Sequence, residues 1–311
     1  MVNGNLQGGT RISDPTVAYR GALGTMYWGD AESVFQSKLK AYEGRVQLIF
    51  TSPPFPLNRK KKYGNQKGEE YIKWLSGFAA RFAKFLKPNG SVVMELGNAW
   101  EPGRPVMSTL ALEALLDFKK AGQLCLCQQF VCYNPAKLPT PAQWVTVERI
   151  RVKDAYTHIW WMARTERPKA SNRRVLKEYS DSMLQLLSSR KYNSGRRPSE
   201  HHIGQKSFLK DNGGAIPSNV LVTANTRASD CYLKFCKQHG FNVHPARMPG
   251  ELPEFFIKLL TAPGDLVLDP FAGSNTTGAM AEKLNRHWIS IEPDAEYVVG
   301  SAGRFQGLTR K

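Results

Sequence analysis

Apolar runs of strand length alternate with amphipathic segments through the first half of the chain. A short apolar run at Val46, Leu48, Ile49 and Phe50 predicts a buried strand, and residues 69–86 carry aromatic side chains at helical spacing. Further elements are expected as a strand at 91–96, a helix at 106–120 and strands at 124–133 and 158–162. This alternation predicts an α/β fold with a mostly parallel, doubly wound sheet.

The regular pattern is interrupted between residues 151 and 210. This stretch holds fourteen Lys and Arg residues against five Asp and Glu residues, and it is rich in Ser, Asn, Gly and Pro. Because it shows little periodicity, we expect an irregular basic insertion of the kind that orders on a partner. A plain solvent-exposed insertion is the alternative. Strands and helices resume at residue 253.

The charge balance narrows the class of partner. The chain has 311 residues, of which 41% are hydrophobic and 22% charged, as in globular proteins. Its formal net charge is +17 and its pI is about 9.7. A polyanion relieves the self-repulsion of such a charge, so nucleic acid is the first partner to consider and an acidic membrane surface the second.

Cysteine usage and the absence of long apolar runs indicate the compartment. The five cysteines are odd in number and form no Cys-x-x-Cys pair, which argues against a disulfide framework and a zinc site. The N-terminus lacks the apolar segment of a signal peptide, and no apolar run approaches membrane-spanning length. We expect a soluble protein of a reducing cytosol, with no membrane partner.

Residues 51–55, Thr-Ser-Pro-Pro-Phe, directly follow the first buried strand. Pro53 and Pro54 lack backbone N–H groups and fix φ near −65°, so the strand ends in a stiff turn. The turn holds the Ser52 hydroxyl, a proline carbonyl and the Phe55 ring at the carboxyl end of a strand, where open α/β sheets bind ligands. A turn that only ends the strand is the alternative.

A basic loop follows this turn, with Arg59, Lys60, Lys61 and Lys62 in succession before Tyr63. Because the loop lies beside a candidate site in a strongly basic protein, we predict that these side chains contact phosphates. A solvated loop without a binding role is the alternative.

Residues 269–278 have the strand, glycine turn and helix of a nucleotide-binding segment. Gly273 allows a ligand to approach the backbone closely, and the N–H groups that open the next helix favour negative charge. The segment matches neither the P-loop nor the dinucleotide fingerprint. Glu292 ends the following strand, where such folds place a carboxylate that accepts hydrogen bonds from ribose hydroxyls. Taken singly, Asp269, Gly273 and Glu292 also suit a cap, a bend and a surface charge.

The two motifs together resemble those of the AdoMet-dependent amino DNA methyltransferases. Residues 269–274, Asp-Pro-Phe-Ala-Gly-Ser, look like the AdoMet-binding motif of this family, and residues 51–55 look like its catalytic motif. The catalytic motif comes first, which is the permuted order of the β class. The serine at position 52 resembles the cytosine-N4 members of the family, since adenine-N6 members usually carry Asp or Asn at this position of the motif. The resemblance implies a Rossmann-like methyltransferase fold with circularly permuted motif order.

The resemblance also implies a domain organisation. We expect an N-terminal arm at 1–20 and the catalytic half of the methyltransferase domain at 21–150. Residues 151–240 would serve mainly in target recognition and DNA binding, beginning with a sheet strand near 158–162. The cofactor-binding half would be 241–311.

The implied reaction is methyl transfer from AdoMet to the exocyclic N4 of a flipped cytosine in duplex DNA, with S-adenosyl-L-homocysteine as product. The Ser52 hydroxyl and the Pro53 carbonyl would accept the two amine hydrogens, and Phe55 would stack on the base. Pro54 completes the catalytic set. Neither a metal nor a covalent intermediate is expected, and no cysteine follows a proline as the nucleophile of cytosine-C5 enzymes would.

Further residues are implied as contacts of the cofactor and of DNA. Asp30 would lie at the adenine end and Glu292 at the ribose. The predicted cofactor set is Asp30, Thr51, His244, Asp269, Phe271, Gly273, Ser274, Asn275, Thr276 and Glu292. The predicted DNA set is Arg59, Lys60, Lys61, Lys62, Arg173, Arg174, Arg196 and Arg197. Arginines are the expected readers of guanine.

The resemblance implies the modification arm of a restriction–modification system, in a prokaryotic cytosol or nucleoid. A cognate restriction endonuclease would act on the same site without contacting this chain, which we expect to be monomeric. Three alternatives stand beside this interpretation: an adenine-N6 DNA methyltransferase of the same fold, an RNA methyltransferase and a catalytically silent DNA-binding module.

Overall fold

The computed structural model describes residues 14–55, 68–223 and 230–305. The predicted phosphate contacts Arg59, Lys60, Lys61 and Lys62 lie outside these ranges. Among the described residues, no helix is both long and apolar enough to cross a membrane.

The described ranges contain eleven strands and nine α-helices. The strands are β1 (Thr16–Arg20), β2 (Gly24–Trp28), β3 (Val46–Thr51), β4 (Leu86–Gly97), β5 (Cys125–Tyr133), β6 (Tyr156–Ala163), β7 (Gly195–Arg196), β8 (His202–Ile203), β9 (Val220–Val222), β10 (Leu266–Asp269) and β11 (His287–Glu292). The helices are α1 (Ala31–Ser37), α2 (Gly68–Ser76), α3 (Ala79–Phe85), α4 (Leu110–Ala121), α5 (Asp181–Ser189), α6 (Cys231–His239), α7 (Glu251–Leu260), α8 (Thr276–Lys283) and α9 (Ala295–Ser301).

Nine strands form one sheet in the order β1-β2-β11-β10-β3-β4-β6-β5-β9. In this sheet order, the successive neighbours β2, β11, β10, β3 and β4 are parallel, as are β5 and β9. β1 is antiparallel to β2, and β6 is antiparallel to both β4 and β5. The prediction of a mostly parallel sheet with alternating helices is therefore confirmed.

The central strand β3 is buried along its whole length. Phe50 packs against Phe256 of α7, with 5.6 Å between ring centroids, whereas Ile49 belongs to the core cluster that contains residues of α2, α3 and α4. Because successive side chains of a strand point to opposite faces, both faces of the sheet are covered at this strand. This double cover explains why Val46, Leu48, Ile49 and Phe50 are all apolar.

The aromatic segment at 69–86 forms two helices, α2 and α3, rather than the single helix that its spacing predicts. The break falls at Gly77, a residue with a low helix propensity. The aromatic side chains are core residues, as predicted. Phe82, for example, lies 5.9 Å from Phe78 and 5.7 Å from Phe118 between ring centroids.

Part of the predicted N-terminal arm belongs to the sheet. Thr16–Arg20 form β1, which pairs antiparallel with β2. The Tyr19 ring packs on Phe305 at 5.6 Å, and its hydroxyl lies 2.7 Å from the Ser301 hydroxyl. Over these residues the expected N-terminal arm is part of the sheet, because contacts with β2 and with the distant C-terminal part of the chain hold it.

The chain divides into two compact units, residues 1–170 with 219–311, and residues 171–218. The smaller unit contains α5, whose N-cap Ser180 accepts a hydrogen bond from Met183 N, and the short β7–β8 hairpin. The compact unit is shorter than the predicted insertion at 151–240, since β6, β9 and α6 belong to the larger unit.

Candidate active site

A cleft opens where the adjacent parallel strands β4, β3, β10 and β11 end. Its cavity volume is about 400 Å³, which is within the range of small-molecule sites. Residues after and beside β3, here called the Ser52 side, are Ser52, Pro53, Pro54, Phe55, Glu95, Cys132, Asn134, Lys137, Thr157 and Thr223. Residues of the opposite part, here called the Gly273 side, are His244, Arg247, Asp269, Phe271, Gly273, Ser274, Thr276, Thr277, Glu292 and Tyr297.

The Phe55 ring is held against the backbone of Gly97, the last residue of β4. A Cβ atom at position 97 would lie only 2.5 Å from Phe55 Cδ2, so a side chain there would displace the ring. The half-buried ring therefore lies at the end of β4, while Pro53 of the same turn is buried. The turn presents an aromatic surface to the cleft in a defined place.

A buried carboxyl group lies behind Ser52. Glu95 of β4 is only 8% exposed, accepts a hydrogen bond of 2.9 Å from Thr157 Oγ1 and is hydrogen-bonded to the Ser52 side chain. Burial raises the pKa of Glu95, while its hydrogen bonds to Thr157 and Ser52 and the charge of Lys137 act in the opposite direction. The Ser52 hydroxyl is thus oriented by a carboxyl group of raised basicity.

Asp269 joins the two motifs. Its Oδ1 accepts hydrogen bonds from Thr51 Oγ1 at 2.8 Å and from Phe271 N at 3.1 Å, and its Oδ2 accepts one from Thr277 Oγ1 at 2.6 Å. Burial raises the pKa of Asp269 to about 6 in spite of these three donors. Since every one of these contacts is with protein groups, the carboxylate fixes the loop and the turn relative to each other.

The glycine loop bends at Gly273, which has a φ of +50°, a conformation that favours glycine. Gly273 N donates a 2.8 Å hydrogen bond to Glu292 Oε2, and Asp294 N donates one of 3.0 Å to Glu292 Oε1. Burial raises the pKa of Glu292 to about 7, and the nearby Asp294 and Asp269 carboxylates add to the rise. Glu292 is therefore a cleft-lining acceptor whose charge depends on pH near neutrality.

His244 closes the cleft over this loop. Its Nε2 would lie 3.0 Å from a Cβ atom at position 273, so glycine is needed for the approach. The imidazole meets the Tyr297 ring edge to face at 4.5 Å, and His244 N donates a 2.8 Å hydrogen bond to the Tyr232 hydroxyl. Burial lowers the pKa of His244, which favours the neutral imidazole.

Arg304 holds the glycine loop from behind. The guanidinium group donates hydrogen bonds to Ser274 O at 2.6 Å, to Ser274 Oγ at 2.9 Å and to Asp230 Oδ2 at 3.0 Å. It also lies over the Tyr232 ring at 4.8 Å from the centroid. The Tyr232 hydroxyl in turn accepts a hydrogen bond from His244 N. The Arg304 guanidinium therefore connects the glycine loop with the segment that carries His244.

The structure brings most of the predicted site residues to the cleft. Eleven of them line it, namely Ser52, Pro53, Pro54, Phe55, His244, Asp269, Phe271, Gly273, Ser274, Thr276 and Glu292. Three predicted cofactor contacts do not. Thr51 is turned to Asp269, Asn275 caps α8 by accepting from Gly278 N, and the exposed Asp30 caps α1 by accepting from Ser33 N.

The described arginines of the predicted DNA set belong to the smaller unit. Arg173 and Arg174 lie in a single helical turn, and Arg196 and Arg197 lie in and after β7. Arg196 is paired with Glu200 at 3.3 Å, and Arg197 donates to Asn193 O at 2.9 Å.

Several cleft residues escape the motif-based prediction, chiefly Glu95, Thr157, Lys137, Tyr297 and, behind the loop, Arg304. Glu95 has a recognisable signal, since it is the single charge in the apolar run of β4. The others carry no signal in the sequence, because they reach the cleft from elements distant in the chain.

The permuted order of a Ser-Pro-Pro-Phe turn and a glycine loop on one doubly wound sheet defines the class of Rossmann-like methyltransferases. Comparison with known proteins identifies the family within this class. The chain belongs to the DNA methylase family, whose model matches residues 46–302.

Two type II methyltransferases and several solved structures resemble the chain. The Type II methyltransferase M.PvuII of Proteus hauseri is 46% identical over 93% of this chain and 85% of its own length. M.BglII of Bacillus subtilis is 25% identical over 89% of this chain and 67% of its own length. The structure of the PvuII DNA methyltransferase, described as cytosine-N4-specific, has a TM-score of 0.75 at 39% identity and covers 93% of this chain and 88% of that one.

A solved complex with AdoMet shares the fold. M1.HpyAVI bound to this cofactor has a TM-score of 0.55 at 19% identity, over 91% of this chain and 98% of that one. At this identity the likeness concerns the fold alone.

Proposed function

We propose that this protein is a site-specific DNA methyltransferase that transfers a methyl group from AdoMet to the exocyclic N4 of a flipped cytosine in duplex DNA. The hydrogen bond between Ser52 and the buried Glu95, in the same cleft as the glycine loop, carries the proposal. Family membership supports DNA as the substrate. Identity of 46% with M.PvuII and likeness to the cytosine-N4-specific PvuII structure support cytosine as the base.

The Gly273 side fits AdoMet. Glu292 offers a buried carboxylate that faces the cleft and can accept hydrogen bonds from ribose hydroxyls. Ser274 and Thr276, at the start of α8, suit the amino-acid end of the cofactor, and Asp30 at the end of the neighbouring β2 would contact its adenine end. When bound, AdoMet supplies a methyl group on a positively charged sulfur.

The Ser52 side activates the amine. The lone pair of a cytosine amine is delocalised into the ring, so the amine becomes a nucleophile only when acceptors draw its hydrogens out of the ring plane. The Ser52 oxygen accepts one N4 hydrogen and the Pro53 carbonyl accepts the other, which directs the lone pair towards the methyl donor. Phe55, held in place by Gly97, stacks on the flipped base.

Glu95 provides the route for the proton. Methylation of the amine forms an N–C bond while the bond between the methyl group and the donor sulfur breaks, and it leaves a surplus proton on N4. Ser52 can take this proton while it passes its own hydroxyl proton to Glu95. Burial of Glu95 raises its pKa and so makes the carboxylate a better acceptor.

The proposal extends to sequence readout and biological context. Arg173, Arg174, Arg196 and Arg197 of the smaller unit are proposed to contact phosphates and guanine edges. The enzyme would act as a monomer and as the modification arm of a restriction–modification system, whose endonuclease acts on the same site without contacting this chain.

Nucleoside analysis tests the reaction. The full-length protein is incubated with labelled AdoMet and a random-sequence DNA duplex, which is then digested to nucleosides and separated by mass. N4-methylcytosine is the expected product. N6-methyladenine would replace this proposal by the adenine reaction, and label in structured RNA but not in DNA would replace it by RNA methylation.

Two variants separate chemistry from binding. Ser52→Ala and Glu95→Gln are expected to lower kcat by about a hundredfold or more, because each removes a group that acts on the amine proton. AdoMet affinity, measured by calorimetry, should stay within a few-fold of that of the wild type. Unchanged kcat in both variants would favour a catalytically silent DNA-binding module, with the methylation coming from a contaminant.

A further inference from the structure

The segment between β5 and β6, residues 134–155, extends beyond the sheet at the mouth of the cleft. β6 begins beside the end of β4, where Gly97 is paired with Thr157, and β5 ends opposite Tyr156. Asn134 and Lys137 on the first arm of this β5–β6 loop, and Ala155 on its second arm, line the cleft itself. The loop thus starts and ends at the Ser52 side and continues outward from it.

The two arms of the β5–β6 loop are tied together. Asn134 N donates to Ala155 O at 2.8 Å, and Asp154 N donates to Thr140 O at 2.9 Å. Lys153 Nζ reaches across to Pro135 O at 2.8 Å. These bonds give the loop a defined shape, so the side chains at its outer surface point in fixed directions.

Large apolar side chains cover the outer surface of this loop. Leu138 on the first arm is 76% exposed and Val152 on the second arm is 86% exposed. Val147 is 68% and Ile150 is 48% exposed in the turn between the arms. Single exposed apolar residues are ordinary, but four of them on one ordered loop beside a cleft indicate a surface that is covered in the working complex.

The charges around these side chains favour DNA as the cover. The loop carries four basic residues, Lys137, Arg149, Arg151 and Lys153, against the acidic Glu148 and Asp154. Asp154 is half-buried and accepts a 2.7 Å hydrogen bond from Asn98, whereas Arg149 is exposed. With a net charge of +17, a second copy of this chain would be repelled, and a polyanion would be attracted.

We propose that the β5–β6 loop inserts Leu138 and Val152 into the DNA duplex at the position that the target cytosine vacates. The inference rests on the proposed function, since a flipped base leaves a gap in the stack. Apolar side chains that enter such gaps offset the lost stacking and hold the duplex open. The loop would supply the wedge from the same place where Asn134 and Lys137 line the cleft that receives the base.

A duplex whose target base has no pairing partner, and so costs less to extrude, tests this wedge. The methylation site of the wild-type enzyme is first mapped on random duplex DNA. Two oligonucleotide duplexes with that site are then compared, one with the target cytosine paired to guanine and the other with the same cytosine opposite an abasic residue. The enzyme forms are the wild type, Leu138→Ala with Val152→Ala, and the control Leu116→Ala, which truncates a leucine that is 64% exposed on α4.

The double variant is expected to lose at least about tenfold in kcat/KM on the paired duplex and to regain most of it opposite the abasic residue. AdoMet affinity and the activity of Leu116→Ala should match the wild type. Wild-type kinetics of the double variant on the paired duplex would overturn the proposal, as would an equal loss on both duplexes. A loss that accompanies a changed oligomeric state in light scattering would assign the surface to a protein contact instead. Absence of methylation by the wild type would contradict the proposed function itself.

Discussion

The Thr51 hydroxyl donates a 2.8 Å hydrogen bond to Asp269 Oδ1, although the two residues are 218 positions apart in the chain. Both are buried, at 0% and 3% exposure. The bond fixes the Ser-Pro-Pro-Phe turn to the glycine loop, so that the amine-activating groups and the proposed cofactor loop keep one relative position.

Replacement of Thr51 by Val should loosen this connection. The isosteric change removes one of the donors to a buried carboxylate, and we expect a loss of about 1–3 kcal/mol in the free energy of unfolding. Chemical denaturation measures the loss. The control Thr16→Val, at an exposed position of β1, should change stability by less than about 0.5 kcal/mol. Equal stability of the two variants would show that the bond contributes nothing to the native state.

AdoMet affinity should depend on pH through Glu292. In the proposed complex the carboxylate accepts hydrogen bonds from ribose. Its pKa is raised to about 7 by burial, so a large part of it is protonated in the free protein at slightly acid pH. Affinity should therefore be lost as pH falls from about 8 to about 6. Asp269, with a pKa of about 6, titrates at the lower end of this pH range.

Glu292→Gln distinguishes this carboxylate from other titrating groups. The variant should bind AdoMet roughly tenfold to a hundredfold more weakly at pH 8 and should show a flatter pH profile, because charged hydrogen bonds are replaced by a neutral one. Calorimetric titration at several pH values measures both. Glu113→Gln on α4 serves as the control and should keep the wild-type profile. A steep profile in the Gln variant would assign the pH dependence to Asp269 or another group.

Arg304 should support cofactor binding without taking part in the chemistry. Lysine keeps the charge but cannot reproduce the three hydrogen bonds to Ser274 and Asp230, so Arg304→Lys should raise the KM for AdoMet by about tenfold. Because Ser52 and Glu95 are untouched, kcat at saturating AdoMet should stay near the wild-type value. Arg81→Lys, which keeps a partly exposed pair with Glu32, is the control. A fall in kcat at unchanged KM would contradict this positioning role.

Gly97 should be needed for the position of Phe55. Alanine places a Cβ atom about 2.5 Å from the ring, which forces the ring off its site. We expect Gly97→Ala to lower kcat by about tenfold to a hundredfold while AdoMet affinity is retained, since misplacement by about 1 Å can cost a hundredfold. Gly250→Ala, whose nearest contact would be Met280 Sδ at 3.5 Å, is the matched control. Steady-state kinetics measures kcat for both variants. Equal values would show that the Phe55 ring tolerates a side chain at position 97.

Much of the fold follows from local patterns in the sequence. The four apolar residues of β3 reflect burial on both faces of a sheet, and the glycine before Phe78 is the local reason why the aromatic segment forms two helices. The strand at Thr16–Arg20 is different. Its attachment depends on Ser301 and Phe305, and no property of the first twenty residues reveals contacts with the other end of the chain.

The sequence by itself determined the two motifs, their permuted order and the basic character of the chain, because strand ends, prolines and glycines act over a few residues. Only the tertiary structure decided that Thr51 is hydrogen-bonded to Asp269, that Asn275 caps α8, and that Glu95 lies behind Ser52. The physical reason is that a hydrogen bond depends on distance and direction in space. The sheet sets both, by placing side by side strands that are far apart in the chain.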